Sequence, residues 1–200
     1  MSLGVGLMVA VFYRQPDDAA AAGGPRVWPQ GKALRMVLYA GLCWGAFNGG
    51  LAVLFGLGTS LLVDIGETPE VAARTTSLIL WVLAVAAPCG GILAARPGRG
   101  TEMIALGLLG LTVLSPLALV GELTVAVFLA YGAVSGLVAG PIMAMPARAL
   151  APEMRTVGMG LFFTMYYAIF VIAPAMAGNA AEIFGDVGMA FWCADALQLA

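Results

Sequence analysis

The sequence predicts an all-α fold, a polytopic bundle of membrane-crossing helices, and three observations lead there. Hydrophobic residues fill 62% of the 200 positions and charged residues only 10%, against the roughly 25% charged that a soluble domain uses to cover its surface. The charges gather into clusters separated by long uncharged runs. The basic residues, moreover, sit almost entirely in alternate connecting segments.

The uncharged runs define the elements. A charged side chain at the centre of a membrane helix costs about 2.5–3.5 kcal/mol on insertion scales, so a gap between charges marks a possible span. Five gaps are long enough, at 36–63, 75–95, 103–121, 123–147 and 156–181. Each meets or nearly meets the roughly 20 helical residues that cross about 30 Å of hydrocarbon. Helix is required, because an isolated strand would leave its backbone unpaired in lipid, and membrane helices tolerate internal Gly and Pro. Residues 1–13, "MSLGVGLMVAVFY", supply only about 20 Å of helix. Residues 187–200 are similarly short and contain Asp195. Each reads as part of a span cut by the chain limits. A signal peptide over 1–13 is the poorer reading, since no basic residue precedes the apolar run and Arg14 follows it.

The connecting segments set the orientation. Segment 14–35 carries Arg14, Arg26, Lys32 and Arg35, segment 96–102 carries Arg96 and Arg99, and segment 148–155 carries Arg148 and Arg155. The intervening connections hold Arg74 as their only base, beside Asp64, Glu67, Glu70, Glu122, Glu182 and Asp186. By the positive-inside rule, 14–35, 96–102 and 148–155 are expected in the cytoplasm. The chain then reads as a multi-pass protein of the cell membrane, a bacterial inner membrane. Segment 14–35, rich in Pro, Gly and Ala, reads as a flexible linker between the apolar stretch 1–13 and a helical bundle over 36–200.

Composition narrows the function classes. A net charge of −2 without a basic tract argues against nucleic acid. The absence of histidine removes Ser-His and Cys-His nucleophile pairs and the HExxH zinc motif. Cys43, Cys89 and Cys193 are far apart in apolar runs and imply neither a disulfide framework nor a metal cluster. The expectation is a protein that is not an enzyme and uses no cofactor, with the lipid bilayer as its first partner.

An internal repeat organises the bundle. "YAGLCWGAFNGG" from Tyr39 answers "YGAVSGLVAGP" from Tyr131, each with small residues about every four positions. That spacing makes a smooth helical stripe that another helix can approach closely. "PEVAARTTS" then answers "PEMRTVGMG", Pro88 and Gly91 answer Pro174 and Gly178, and "GILAARPG" answers "GNAAEIFG". Each unit holds three helices, so the second is expected upside down relative to the first, as in transporter halves.

The turn "GGILAARPGRG", residues 90–100, resembles the G-x-L-A-D-R-x-G-R-R loop of the major facilitator superfamily. Gly91, Leu93, Ala94, Arg96, Gly98 and Arg99 match it, while Ala95 replaces the family's Asp and Gly100 its final Arg. "APEMRTVGMG" is similar to the family's loop between helices ten and eleven through Pro152, Glu153, Arg155 and Gly158. The resemblance implies the C-terminal six-helix half of such a transporter. Spans 36–63 to 156–181 would be helices seven to eleven, 1–13 the end of helix six, 14–35 the central linker and 187–200 a partial helix twelve. It also implies a partner, an N-terminal six-helix half absent from this chain. Gly91, Arg96, Gly98 and Arg99 would form the conformational loop, with a weaker latch because the acid is missing.

Secondary transporters bind solute near the midplane. Asn48 beside Gly49 and Gly50, with Trp44 one turn earlier, is the first candidate, and Trp81, Tyr131 and Tyr166 are further substrate-binding candidates. The resemblance implies that helices seven, eight, ten and eleven line the cavity. No charged residue lies in the middle of the five complete spans; Asp195 belongs to the short last segment, which the family places at the periphery. Coupling chemistry is therefore expected in the partner half, or transport is facilitated diffusion. The expected function is transport of an unknown small solute by alternating access. The competing readings are a non-transporting membrane scaffold or a degenerate transporter fragment.

Overall fold

The computed structural model describes residue 11 and residues 27–95, 99–118 and 124–199. All regular structure among them is helical: α1 (Gly31–Asp64), α2 (Pro69–Ala94), α3 (Arg99–Leu117), α4 (Thr124–Ala149), a 3-10 turn (Pro152–Met154), α5 (Arg155–Phe184) and α6 (Gly188–Leu199). The first five are long and apolar enough to cross a membrane, and each falls on one of the expected spans. The chain is a multi-pass helical membrane protein. The expected span end over 1–13 (apart from Val11), most of the linker 14–35, Arg96, Gly98, Glu122 and the side chain of Arg148 lie outside the described residues.

Helices outrun the charge gaps that announced them. α1 begins at Gly31, and its first turns carry Lys32 and Arg35. α5 continues past Glu182 to Phe184. Charge is penalised in hydrocarbon, not in the headgroup region, where a helix still satisfies its own backbone. The true ends follow local chemistry. Thr68 caps α2 by accepting the Val71 N–H at 3.3 Å, and Pro69 follows at the first helical position. α5 stops at Gly185, whose φ of 65° is the left-handed conformation that glycine adopts without penalty.

Glycine contacts establish how the helices run. Gly41, Gly45 and Gly49 meet Met165, Ile169 and Ala173 in rising order, so α1 and α5 are parallel. Gly132, Gly136 and Gly140 meet Ile79, Leu83 and Gly91, so α2 and α4 are parallel. Gly58 faces Phe128 while Val37 packs beside Leu150, which makes α1 and α4 antiparallel. Gly107 and Gly110 face Val138 and Val134, which makes α3 oppose α4. The five long helices therefore alternate in direction. Lys32, Arg35, Arg99 and Arg155 come to one end, with Glu102 and Glu153; Asp64, Glu67, Glu70, Arg74, Glu182 and Asp186 come to the other.

α1 and α4 form the centre, each with half of its most apolar stretch buried, against 17% for α2 and α5 and 11% for α3. One core joins all six helices, through residues such as Phe47, Ile79, Leu111, Phe128, Ala177 and Phe191. The outer faces are large and apolar: Trp81, Val85, Ile92, Leu106, Val171 and Ile183 are all exposed. A surface of this kind suits lipid and would drive aggregation in water.

Candidate functional site

The stripe Gly41, Gly45, Gly49 brings α5 onto α1 so closely that methyls added there would stand within 3 Å of Met165, Ile169 and Ala173. That approach assembles an aromatic face. The Trp44 ring lies 5.5 Å from Phe47 and 6.2 Å from Tyr166 across the interface. Tyr166 continues the face to Tyr167 at 4.5 Å and Phe170 at 5.5 Å. Asn48 lies one turn beyond Trp44, half-buried, and its Nδ2 donates back to the Trp44 carbonyl at 2.8 Å. One of its two amide N–H bonds is thus spent on its own helix, as i to i−4 geometry allows. Trp44, Asn48 and Tyr166 therefore form one neighbourhood. π-faces beside an amide can stack on an aromatic or apolar solute and fix its polar group.

Trp81 and Tyr131 lie elsewhere. Trp81 is exposed on α2, where it borders an apolar groove of about 520 Å³ with Val85, Cys89, Ala133 and Leu137, and a second of about 420 Å³ with Arg74 and Ser77. Tyr131 is buried and turned into the bundle, where its hydroxyl accepts the Gln198 Nε2–H of α6 at 2.8 Å. Of the loop residues, Gly91 lies exposed near the end of α2 at the crossing with Gly140, and Arg99 opens α3.

The structure adds a polar centre that the residue pattern did not disclose. Asp195 and Gln198, three apart on α6, are both buried, as are Ser115 of α3 and Ser135 of α4. Ser115 faces the Asp195 carboxylate outside hydrogen-bond geometry, and neither carboxylate oxygen has a partner among the described residues. Asp195 is thus an interior residue of this bundle. The i to i+3 spacing of an acid and an amide in an apolar segment was the available signal. Their meeting with Tyr131, 67 positions away, was not available from local pattern.

No protein-family model, curated protein or solved structure matches the chain.

Proposed function

We propose that this chain is half of a solute carrier of the major facilitator type, which works by alternating access against a second six-helix bundle. The observation that carries the reading is that the helix pairing maps onto itself when α1, α2 and α3 are exchanged with α4, α5 and α6. The two most extensive interfaces, α2/α4 and α1/α5, trade places, as do α3/α4 and α1/α6, while α1/α4 and α3/α6 return to themselves. The hairpin interfaces follow less closely, with α5/α6 more extensive than α2/α3.

Individual contacts support the same exchange. One constant step along the chain carries Gly41, Gly45 and Gly49 onto Gly132, Gly136 and Gly140. A second constant step carries their partners across, from Ile79, Leu83 and Ala87 to Met165, Ile169 and Ala173, and Pro88 onto Pro174. Units of three alternating helices make the second copy an inverted one, the construction from which secondary transporters build rocking halves around a midplane site. On this reading the base-rich end faces the cytoplasm of a bacterial cell, and the face of Trp44, Asn48 and Tyr166 is one wall of the solute path. The adjacent Gly49 and Gly50 suit a helix that bends as the path opens.

Substituted-cysteine labelling in vesicles of both orientations tests the reading. With Cys43, Cys89 and Cys193 replaced, a membrane-impermeant thiol reagent should reach cysteines at Asn48 and Tyr166 from either face. Labelling from one face only, or from neither, counts against alternating access.

A further inference from the structure

The carboxylate of Asp195 has no described partner and little contact with water. Only 4% of the residue is exposed, and both Oδ atoms lack a hydrogen bond. Four helices surround this part of α6. α3 contributes the Ser115 hydroxyl, and α4 contributes Tyr131, a titratable group near enough to feel the carboxylate's charge. α1 contributes Gly50, whose missing side chain makes room for the Gln198 amide: a methyl there would overlap Nε2. What α1 and α5 pack against the neighbouring turn of α6 is apolar, with Val53, Ile169 and Ala173 around Ala194 and the thiol of Cys193.

Burying a carboxylate in such a setting costs far more than burying the neutral acid, unless a cation or several donors compensate. No Lys or Arg among the described residues pairs with it; the described bases stand at the helix ends or, for Arg74, in the first turns of α2. The donors are short as well. One Gln198 N–H goes to Tyr131, and neither the second one, nor the Tyr131 O–H, nor the Ser115 O–H makes a hydrogen bond to either Oδ atom. A proton resolves the imbalance with a single bond, because the neutral acid can donate to the hydroxyl facing it. A metal cation asks for more. It would need a shell of several oxygens drawn around it at once, whereas the proton needs only the one acceptor that Ser115 provides.

We propose that Asp195 is a proton-binding site inside the bundle, formed by Ser115, Tyr131, Gln198 and the gap at Gly50, which holds a proton in the packed state and releases it when water reaches the α3/α6 seam. The step is proton transfer alone: the Oδ–H bond breaks, the carboxylate keeps the electron pair, and water takes the proton. The assignment does not depend on the transport reading. It concerns what the packed bundle binds, whatever solute the protein moves.

Infrared difference spectroscopy on the full chain in lipid nanodiscs, in sodium-free buffer, reads the protonated carboxyl directly. The expected result is a protonated-acid carbonyl band at neutral pH that base removes. It should be absent in Asp195→Asn and retained in Glu182→Gln, which alters an exposed acid. Wild-type protein grown on carboxyl-labelled aspartate should show the band shifted, so the result stands even if the Asn variant does not fold. A neutral-pH spectrum without the band, or a band that ignores both aspartate labelling and Asp195→Asn, overturns the proposal. So does a band that sodium chloride removes at constant pH while choline chloride does not, since the site would then bind a metal cation.

Discussion

The crossing of α2 with α4 and the crossing of α1 with α5 are laid out alike, yet they are filled differently. On α4, Gly132 and Gly136 face backbone: methyls there would stand 2.8 Å from the Ile79 carbonyl oxygen and 2.6 Å from that of Leu83. Gly90 of α2 returns the contact against the Leu137 backbone. On α1, Gly41, Gly45 and Gly49 face chiefly side-chain atoms, the Cβ of Met165, Ile169 and Ala173 and the Cδ1 of Ile169, with the Phe162 carbonyl oxygen also near Gly41. α2 is small at its crossing, with Ala86, Ala87, Gly90 and Gly91, so little more than the Ala86 Cβ stands between the two main chains. Two similar glycine stripes thus make a seam of main chain on main chain and a seam of main chain on side-chain atoms, where only ends such as Ile169 Cδ1 and Leu197 Cδ2 are free to move. In lipid, where close packing rather than water exclusion holds helices together, that difference should govern tolerance to change.

Substitutions along the two stripes sharpen the contrast. Gly136→Ala meets backbone that has no rotamer to change; a clash of about 3 kcal/mol, the upper end of ordinary overpacking, less about 1 kcal/mol of better helix propensity, leaves a net cost of about 2 kcal/mol. Unfolding of purified protein in mixed micelles measures it, and a loss below that of Gly45→Ala would break the comparison. Gly45→Ala meets Ile169 twice: Cδ1, 2.8 Å from the new methyl, can swing away, while Cβ, at 2.9 Å, moves only if α5 shifts slightly. About 1 kcal/mol of better helix propensity offsets part of the clash, so a net cost of about 1 kcal/mol is expected in the same assay.

Tyr131→Phe removes the acceptor for Gln198 without changing shape much. Hydrogen bonds between membrane helices average about 0.6 kcal/mol, and a loss of that size is expected. A larger effect would mean that the polar centre, and not the glycine seams, fixes α6. Gly160→Ala is the control. No neighbour lies within 4 Å of the added methyl, so stability should stay level or rise by a few tenths of a kcal/mol.

The spans were legible because the physics behind them is local: a charge cannot cheaply sit in hydrocarbon, and the gaps between charges locate α1 to α5. The two glycine stripes were legible for a similar reason, since spacing on a helix fixes which residues share a face. What the spacing did not reveal is what each stripe would meet, backbone for one and side chains for the other. Asn48 shows the same limit. Its type announced a need for hydrogen bonds, but its own helix supplies a partner at Trp44. Asp195 and Tyr131 were harder still, because each is defined by helices far away in sequence. Tyr131, a candidate solute contact by its type and place, is also a tie between α4 and α6.

Sided labelling at Arg99, Arg155, Glu67 and Asp186, each replaced singly by cysteine in a cysteine-free background, tests the alternating topology on which the proposed inverted units depend. All four positions are exposed or half-exposed, at the base-rich end for the first two and the acid-rich end for the others. A membrane-impermeant reagent should label the Arg99 and Arg155 positions from the cytoplasmic face and the Glu67 and Asp186 positions from the opposite one. Labelling of the Arg99 and Arg155 positions from opposite faces would contradict it.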